Sequence, residues 1–215
     1  MPAGEYRALM LDLPGHGQSD PPGRRAIAHY AAVVEDFMRS LGLSEPILVG
    51  HSMGSAIALM IARRALVPAR GLILMGASAR MPVSPVVLSG AVSDIERVAS
   101  FVVEHGCISA SEEWRDVIRR EVIATGGSTS YGDYMACNRF DLRPYVSTID
   151  VPTLIIAGRQ DNLTPLRFSE SLARELPRGR LSVLEDTGHY AMIEKPEAVR
   201  QLMSAFLRQL ELSEH

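Results

Sequence analysis

Three side chains in this sequence have the types and settings to do nucleophilic chemistry together: Ser52, Asp161 and His189. Ser52 lies in Gly50-His51-Ser52-Met53-Gly54, a G-x-S-x-G pentapeptide between the apolar run at residues 46–49 and a helix-forming run at 56–64. A serine on a sharp strand-to-helix turn keeps Oγ exposed, and small residues at both flanks let the backbone fold back on itself. The same turn aims the first amides of the helix at one point. A hydroxyl is a weak nucleophile, so it needs a base within hydrogen-bond reach and a third group to orient that base. His189, in Asp186-Thr187-Gly188-His189-Tyr190, supplies the base, and Asp161, in Gly158-Arg159-Gln160-Asp161-Asn162-Leu163-Thr164-Pro165, supplies the orienting carboxylate. Asp150 and Glu185 fit that loop less well. Each residue also has a plainer reading: Ser52 as a turn serine, Asp161 as a helix cap or turn residue, His189 as a satisfied polar group beside Tyr190. His16 and His51 read as structural. His16 shapes a turn, and the side chain of His51, one residue from the nucleophile, is expected to point away from the base.

The elements that must position these residues alternate along the chain. Residues 6–11, 46–49, 71–75, 151–158 and 181–184 are short apolar runs without period-two alternation, the pattern of strands buried on both faces of a parallel sheet. Tyr30, Val34, Phe37, Met38 and Leu41 recur at helical spacing before Gly42, a natural C-cap. The run at 56–64 is apolar nearly all round and reads as a buried helix. From Pro196 onward, Val199, Leu202, Met203, Phe206, Leu207 and Leu210 form one stripe that should pack on the sheet. These features predict an α/β fold with a mostly parallel sheet and helices on both faces. Residues 1–77 and 146–215 form the core of a single domain. Between them, residues 78–145 read as a helical lid, with capping boxes at Ser93-Asp94-Ile95-Glu96 and Ser109-Ala110-Ser111-Glu112 and a flexible loop at Gly126-Gly127-Ser128-Thr129-Ser130. Met81, Val83, Val86, Val87 and Leu88 either pack that lid or line an acyl pocket. In a parallel sheet the loops after the strands open on one edge, so Ser52, Asp161 and His189 converge despite their distance in sequence.

Bulk properties set the remaining bounds. A chain of 215 residues with 47% hydrophobic residues builds one sizeable core, and a formal charge of -3 gives no electrostatic attraction to nucleic acid or anionic lipid. No apolar run reaches the length of a membrane span and the first residues lack the apolar core of a signal peptide, so a cytoplasmic location is expected. Cys107 and Cys137 have neither metal nor redox spacing and read as reduced and structural.

With these motifs in order, the sequence resembles the α/β-hydrolase family, in particular its lidded, esterase-like members. Four features carry the resemblance across nearly the whole chain: Asp12-Leu13-Pro14-Gly15-His16-Gly17 after a strand, the Ser52 pentapeptide, the Asp161 loop and the Gly188-His189 loop. The resemblance implies a two-step acyl transfer. His189 takes the proton of Ser52 as it attacks a carbonyl, Asp161 fixes the imidazole tautomer, the amide of Met53 donates to the oxyanion, and water releases the acyl group. The implied substrate is a small ester or related acyl compound, with neither metal nor organic cofactor and no nucleic-acid or membrane partner; oligomeric state is open. The alternatives are a noncatalytic homologue that binds a ligand or partner, and a triad put to carbon–carbon hydrolysis, acyl transfer or peroxidation. The chain departs from the family at its start. Relatives carry further strands before the Asp12 segment, including a central one whose following loop supplies a second oxyanion amide. Gly15-His16-Gly17 follows the wrong strand to be that loop. Residues 1–6 read as the end of a helix and a turn entering a strand, which favours a start assigned too late; taken as it stands, the chain is an N-terminally truncated α/β-hydrolase expected to hydrolyse weakly, since one lost oxyanion donor costs about two to three powers of ten in rate.

Overall fold

A computed structural model describes residues 6–212. Its sheet has four parallel strands in sequential order: β1 (Ile47–His51), β2 (Gly71–Met75), β3 (Thr153–Gly158) and β4 (Gly179–Leu184). Nine helices lie among the described residues: α1 (Ile27–Ser40), α2 (Met53–Arg64), α3 (Pro85–Ser93), α4 (Ile95–Gly106), α5 (Glu112–Thr125), α6 (Gly127–Arg139), α7 (Leu166–Glu175), α8 (Ala191–Glu194) and α9 (Pro196–Leu212). Every residue of β2 and β3 is buried, as their continuous apolar runs require. Alternate side chains serve opposite faces. Leu72, Leu74 and Ile155 pack with α1, α2 and α7, while Ile73, Met75, Leu154 and Ile156 pack with the α9 residues Val199, Phe206, Leu207 and Leu210. On the first face Glu35 of α1 is fully buried and pairs with Arg64 of α2 at 3.2 Å, a tie between the two helices. Between β2 and β3 the chain leaves the sheet to form α3–α6, which share a separate apolar cluster around Val87, Val98, Val102, Val103, Cys107 and Ile118. No helix among the described residues is long and apolar enough to cross a membrane.

Three local expectations need correction. Residues 6–11 form no strand: Leu9, Met10 and Leu11 are exposed, and the segment is held through Tyr6, whose hydroxyl donates to Glu211 Oε1 at 2.5 Å. A strand exists only with a neighbour to bond, and among the described residues β1 pairs with β2 alone. The capping boxes are shifted. Ser93 still belongs to α3, so Asp94 caps α4 by accepting the Arg97 N–H at 3.0 Å; Ser111, rather than Ser109, caps α5. The loop expected from residue 126 narrows to Gly126, at φ +77°, and α6 runs from Gly127. Of the helix end and turn read over residues 1–6, residues 1–5 lie outside the described residues.

Candidate active site

The turn around Ser52 begins where β1 ends, and α2 starts at the next residue. Ser52 has φ +51° and ψ -117°, a conformation costing about 1–3 kcal/mol that persists because its surroundings fix it. The Ser52 N–H donates to the carbonyl of Met75 at 2.9 Å, and the Ser52 carbonyl accepts the Ser55 N–H at 2.9 Å and the Ser55 hydroxyl at 2.6 Å. The two glycines of the pentapeptide are not equivalent. A Cβ on Gly50 would overlap the backbone of Gly54, whereas a Cβ on Gly54 meets nothing within 4 Å. The expected need for small residues at both flanks therefore holds at one flank. The N–H groups of Met53 and Gly54 lie in the first turn of α2, where a helix provides no acceptor of its own.

Asp161 and His189 come together on the loops after β3 and β4. His189 Nδ1 lies 2.8 Å from Asp161 Oδ2, and both residues are 4% exposed. A carboxylate accepts, so Nδ1 carries the hydrogen and Nε2 is left with a free lone pair. Asp161 Oδ1 accepts the N–H groups of Leu163 at 2.9 Å and Thr164 at 2.8 Å; Oδ2 also accepts the Thr164 hydroxyl at 2.7 Å, which stands 3.1 Å from His189 Nδ1. Burial alone would raise the pKa of Asp161, but the hydrogen bonds and charge offered by His189 and Thr164 outweigh it and hold the carboxyl below the ordinary aspartate range. Thr164 was not singled out from sequence. Its signal was the spacing: a residue three after an aspartate is where a capping carboxylate finds its amide donor.

The nucleophile and base loops meet across Gly76, the residue after β2. Ser52 is bonded to Met75, and a Cβ on Gly76, at φ +55°, would stand 2.8 Å from His189 Cε1 and 2.9 Å from Nδ1. Among the described residues no hydrogen bond joins Ser52 Oγ to His189 Nε2. His51 does not point away from the base. Its Nε2 lies 2.9 Å from the carbonyl oxygen of His189, and the two rings are 4.5 Å apart between centroids. The reason is that His51 is still in β1, where side-chain direction is set by the strand and not by the turn that follows. On its other side the base loop is tied to α3–α6. The His189 N–H donates to Gly106 O at 2.7 Å, and the Glu194 carboxylate accepts N–H groups of Gly188, Ile108 and Ser109 at 3.1, 3.0 and 2.7 Å.

The remaining candidates lie elsewhere. His16 holds its turn, with Nδ1 3.2 Å from Pro14 O, and also reaches α6, where Nε2 lies 3.0 Å from Asp133 Oδ2; Tyr30 donates to Asp133 Oδ1 at 2.5 Å. Burial pushes the thiols of Cys107 and Cys137 up to about 11 and about 12, so neither is a thiolate near neutral pH, and both are unbonded. Met81 and Val87 are buried in separate apolar clusters, and Val86 is exposed. No group of three or more His, Cys, Asp or Glu side chains among the described residues is arranged to hold a metal ion.

Comparison with known proteins agrees with this fold. A model described as the alpha/beta hydrolase family matches residues 2–202. An AB hydrolase superfamily protein of Bacillus subtilis is 28% identical over 226 residues, 96% of this chain and 83% of that protein. A 2-hydroxymuconate semialdehyde hydrolase of Pseudomonas putida is 26% identical, covering 94% of this chain and 76% of its own length. Among solved structures, a thermophilic esterase superposes with a TM-score of 0.84 at 30% identity, over 93% of this chain and 79% of that one.

Proposed function

Since the chain belongs to the alpha/beta hydrolase family, we propose that it is a serine hydrolase of the esterase type, acting on a small ester through an acyl-enzyme. The observation that carries this reading is the buried His189–Asp161 bond of 2.8 Å on loops that open on the same sheet edge as the strained turn at Ser52. In the first step Ser52 Oγ attacks the ester carbonyl while His189 Nε2 takes the hydroxyl proton. Asp161 keeps the His189 proton on Nδ1 and stabilises the imidazolium, and the Met53 N–H donates to the developing oxyanion. Collapse expels the alcohol, which leaves with the proton from His189. Water then attacks the acyl-enzyme with His189 again as base and releases the acid. The helices α3–α6 act as a lid over this edge, and substrate size is set between them and the sheet.

A second reading keeps the same residues but cleaves a carbon–carbon bond, and is favoured by the likeness to the semialdehyde hydrolase. Both readings are tested with the purified chain. The esterase reading expects hydrolysis of short p-nitrophenyl esters and covalent labelling by a fluorophosphonate, both abolished in Ser52→Ala. Labelling without ester turnover, together with cleavage of a vinylogous diketone, would support the second reading. Labelling that persists in Ser52→Ala would remove Ser52 from the chemistry.

A further inference from the structure

We propose that His51 is a positioning residue for the base: donating from Nε2 to the carbonyl of His189 and packing its ring on that imidazole, it fixes the base loop to the strand that presents the nucleophile. This inference rests on the serine-hydrolase reading given above. Its geometry is on both sides of the contact. A carbonyl only accepts, so at 2.9 Å the hydrogen must be on His51 Nε2. The rings of His51 and His189 are 4.5 Å apart at 53°, and Tyr190 closes the cluster at 5.3 Å from His51 and 5.5 Å from His189.

The other ties of this loop lead two ways: the Thr187 backbone bonds Gln160 and the His189 ring bonds Asp161, both on the loop after β3, and the remaining bonds lead to the helical insertion. The His189 N–H goes to Gly106 at the end of α4, and the Gly188 N–H goes to Glu194, which also holds Ile108 and Ser109. These bonds fasten the base loop to the helical insertion. His51 fastens it to the sheet, since β1 is paired with β2 up to His51 itself, opposite Met75, and Ser52 follows directly. His51 thus adds a direct tie to the strand that presents Ser52, beside the bonds to the loop after β3, against any motion the insertion would pass to His189. A displacement of about 1 Å at a reacting group is enough to cost roughly a hundredfold in rate. Burial, followed by the nearness of His189, pushes the pKa of His51 down to about 3. The ring therefore stays neutral and keeps its Nε2 donor through the working range, and it puts no like charge beside the imidazolium that His189 must become.

The test compares His51→Phe, which keeps a ring and loses the donor, with His51→Gln, whose amide donates from a similar distance. His51→Phe is expected to lose about 10- to 100-fold in kcat and in the rate of fluorophosphonate labelling, with KM little changed, and His51→Gln to recover most of the loss. A purely structural role would not separate kcat from KM or be rescued by an amide. Two-bond proton–nitrogen spectra of the unaltered protein provide a measurement that does not depend on the variants folding. They should show His51 as the Nε2–H tautomer without titration between about pH 5 and 8. Equal rates in His51→Phe and the unaltered protein, or a His51 that titrates near neutrality, would overturn the inference. If the unaltered protein is neither labelled nor active, the hydrolase reading itself falls, and the kinetic role of His51 with it.

Discussion

Replacing Asp161 with asparagine should inactivate the site without unfolding it, because the loop dictates which way the new amide must face. Oδ1 of Asp161 takes the N–H groups of Leu163 and Thr164 at 2.9 and 2.8 Å. Placing an amide NH2 there would oppose donors to donors, so the asparagine oxygen stays at this position. Its NH2 then occupies the Oδ2 site, facing the Thr164 hydroxyl and His189 Nδ1. The hydroxyl can turn to accept, but Nδ1 can accept only by giving up its hydrogen, which moves to Nε2. An Nε2 that already carries a hydrogen cannot take the proton of Ser52. For this failure in a Ser-His-Asp site the loss in kcat is about 10⁴-fold, or about 5 kcal/mol of barrier at 1.36 kcal/mol per tenfold. The assay is initial-rate hydrolysis of a p-nitrophenyl ester beside urea unfolding of the same preparation. Stability should change by about 1 kcal/mol, the worth of a single exchanged hydrogen bond. An Asp161→Asn variant within tenfold of the unaltered kcat, while Ser52→Ala is inactive, would refute the tautomer argument and with it the role given to the carboxylate.

The other predictions concern the turns and the pH dependence. Gly50→Ala should destabilise the chain, because its Cβ overlaps the Gly54 backbone, while Gly54→Ala should be tolerated and raise stability by roughly 0.5–1 kcal/mol from helix preference; urea midpoints of the two variants measure the contrast. Gly76→Ala should lower kcat by about a hundredfold by displacing the His189 ring, whose Cε1 would stand only 2.8 Å from the new Cβ, with near-normal far-ultraviolet circular dichroism as the check that the fold persists. The Asp161 carboxyl is held below 3.8, so the unfolded chain binds the extra proton and the stabilisation is present above that value and lost as the pH falls through the lower, folded pKa; the stability difference from Asp161→Asn should shrink on acidification below about pH 4. His16 behaves in the opposite sense. Its hydrogen bond to Asp133, opposed by burial, raises its pKa above 6.5, so its contribution is full below that value and fades as the pH rises through the folded pKa; the unfolding difference between the native chain and His16→Gln should diminish as the pH is raised above about 6.5.

Much of the fold was legible because the local rules and the tertiary outcome agree. The run at residues 71–75 is apolar at every position and became β2 with those bounds, and the stripe from Val199 to Leu210 packs on the sheet face formed by Ile73, Met75, Leu154 and Ile156. The run at residues 6–11 has the same local character and is not a strand, since strand formation depends on a bonding neighbour that composition does not reveal. Glycine and serine at residues 126–130 suggested a loop, but after Gly126 the chain is helix, stabilised by packing between α6 and the helices around it.

The same division runs through the candidate site. Sequence alone named its candidate residues: the pentapeptide turn names Ser52, and the loops after two buried strands name Asp161 and His189, because parallel strands bring such loops to one edge. Only the tertiary structure decided which groups hold those residues in place. Thr164 shares the carboxylate and the imidazole, Gly76 leaves room for the ring, Glu194 binds the base loop to the helical insertion, and His51 binds it to β1. These roles depend on contacts between segments separated by 25 to 138 positions at His189, and no spacing rule along a chain reports a contact made across a sheet edge.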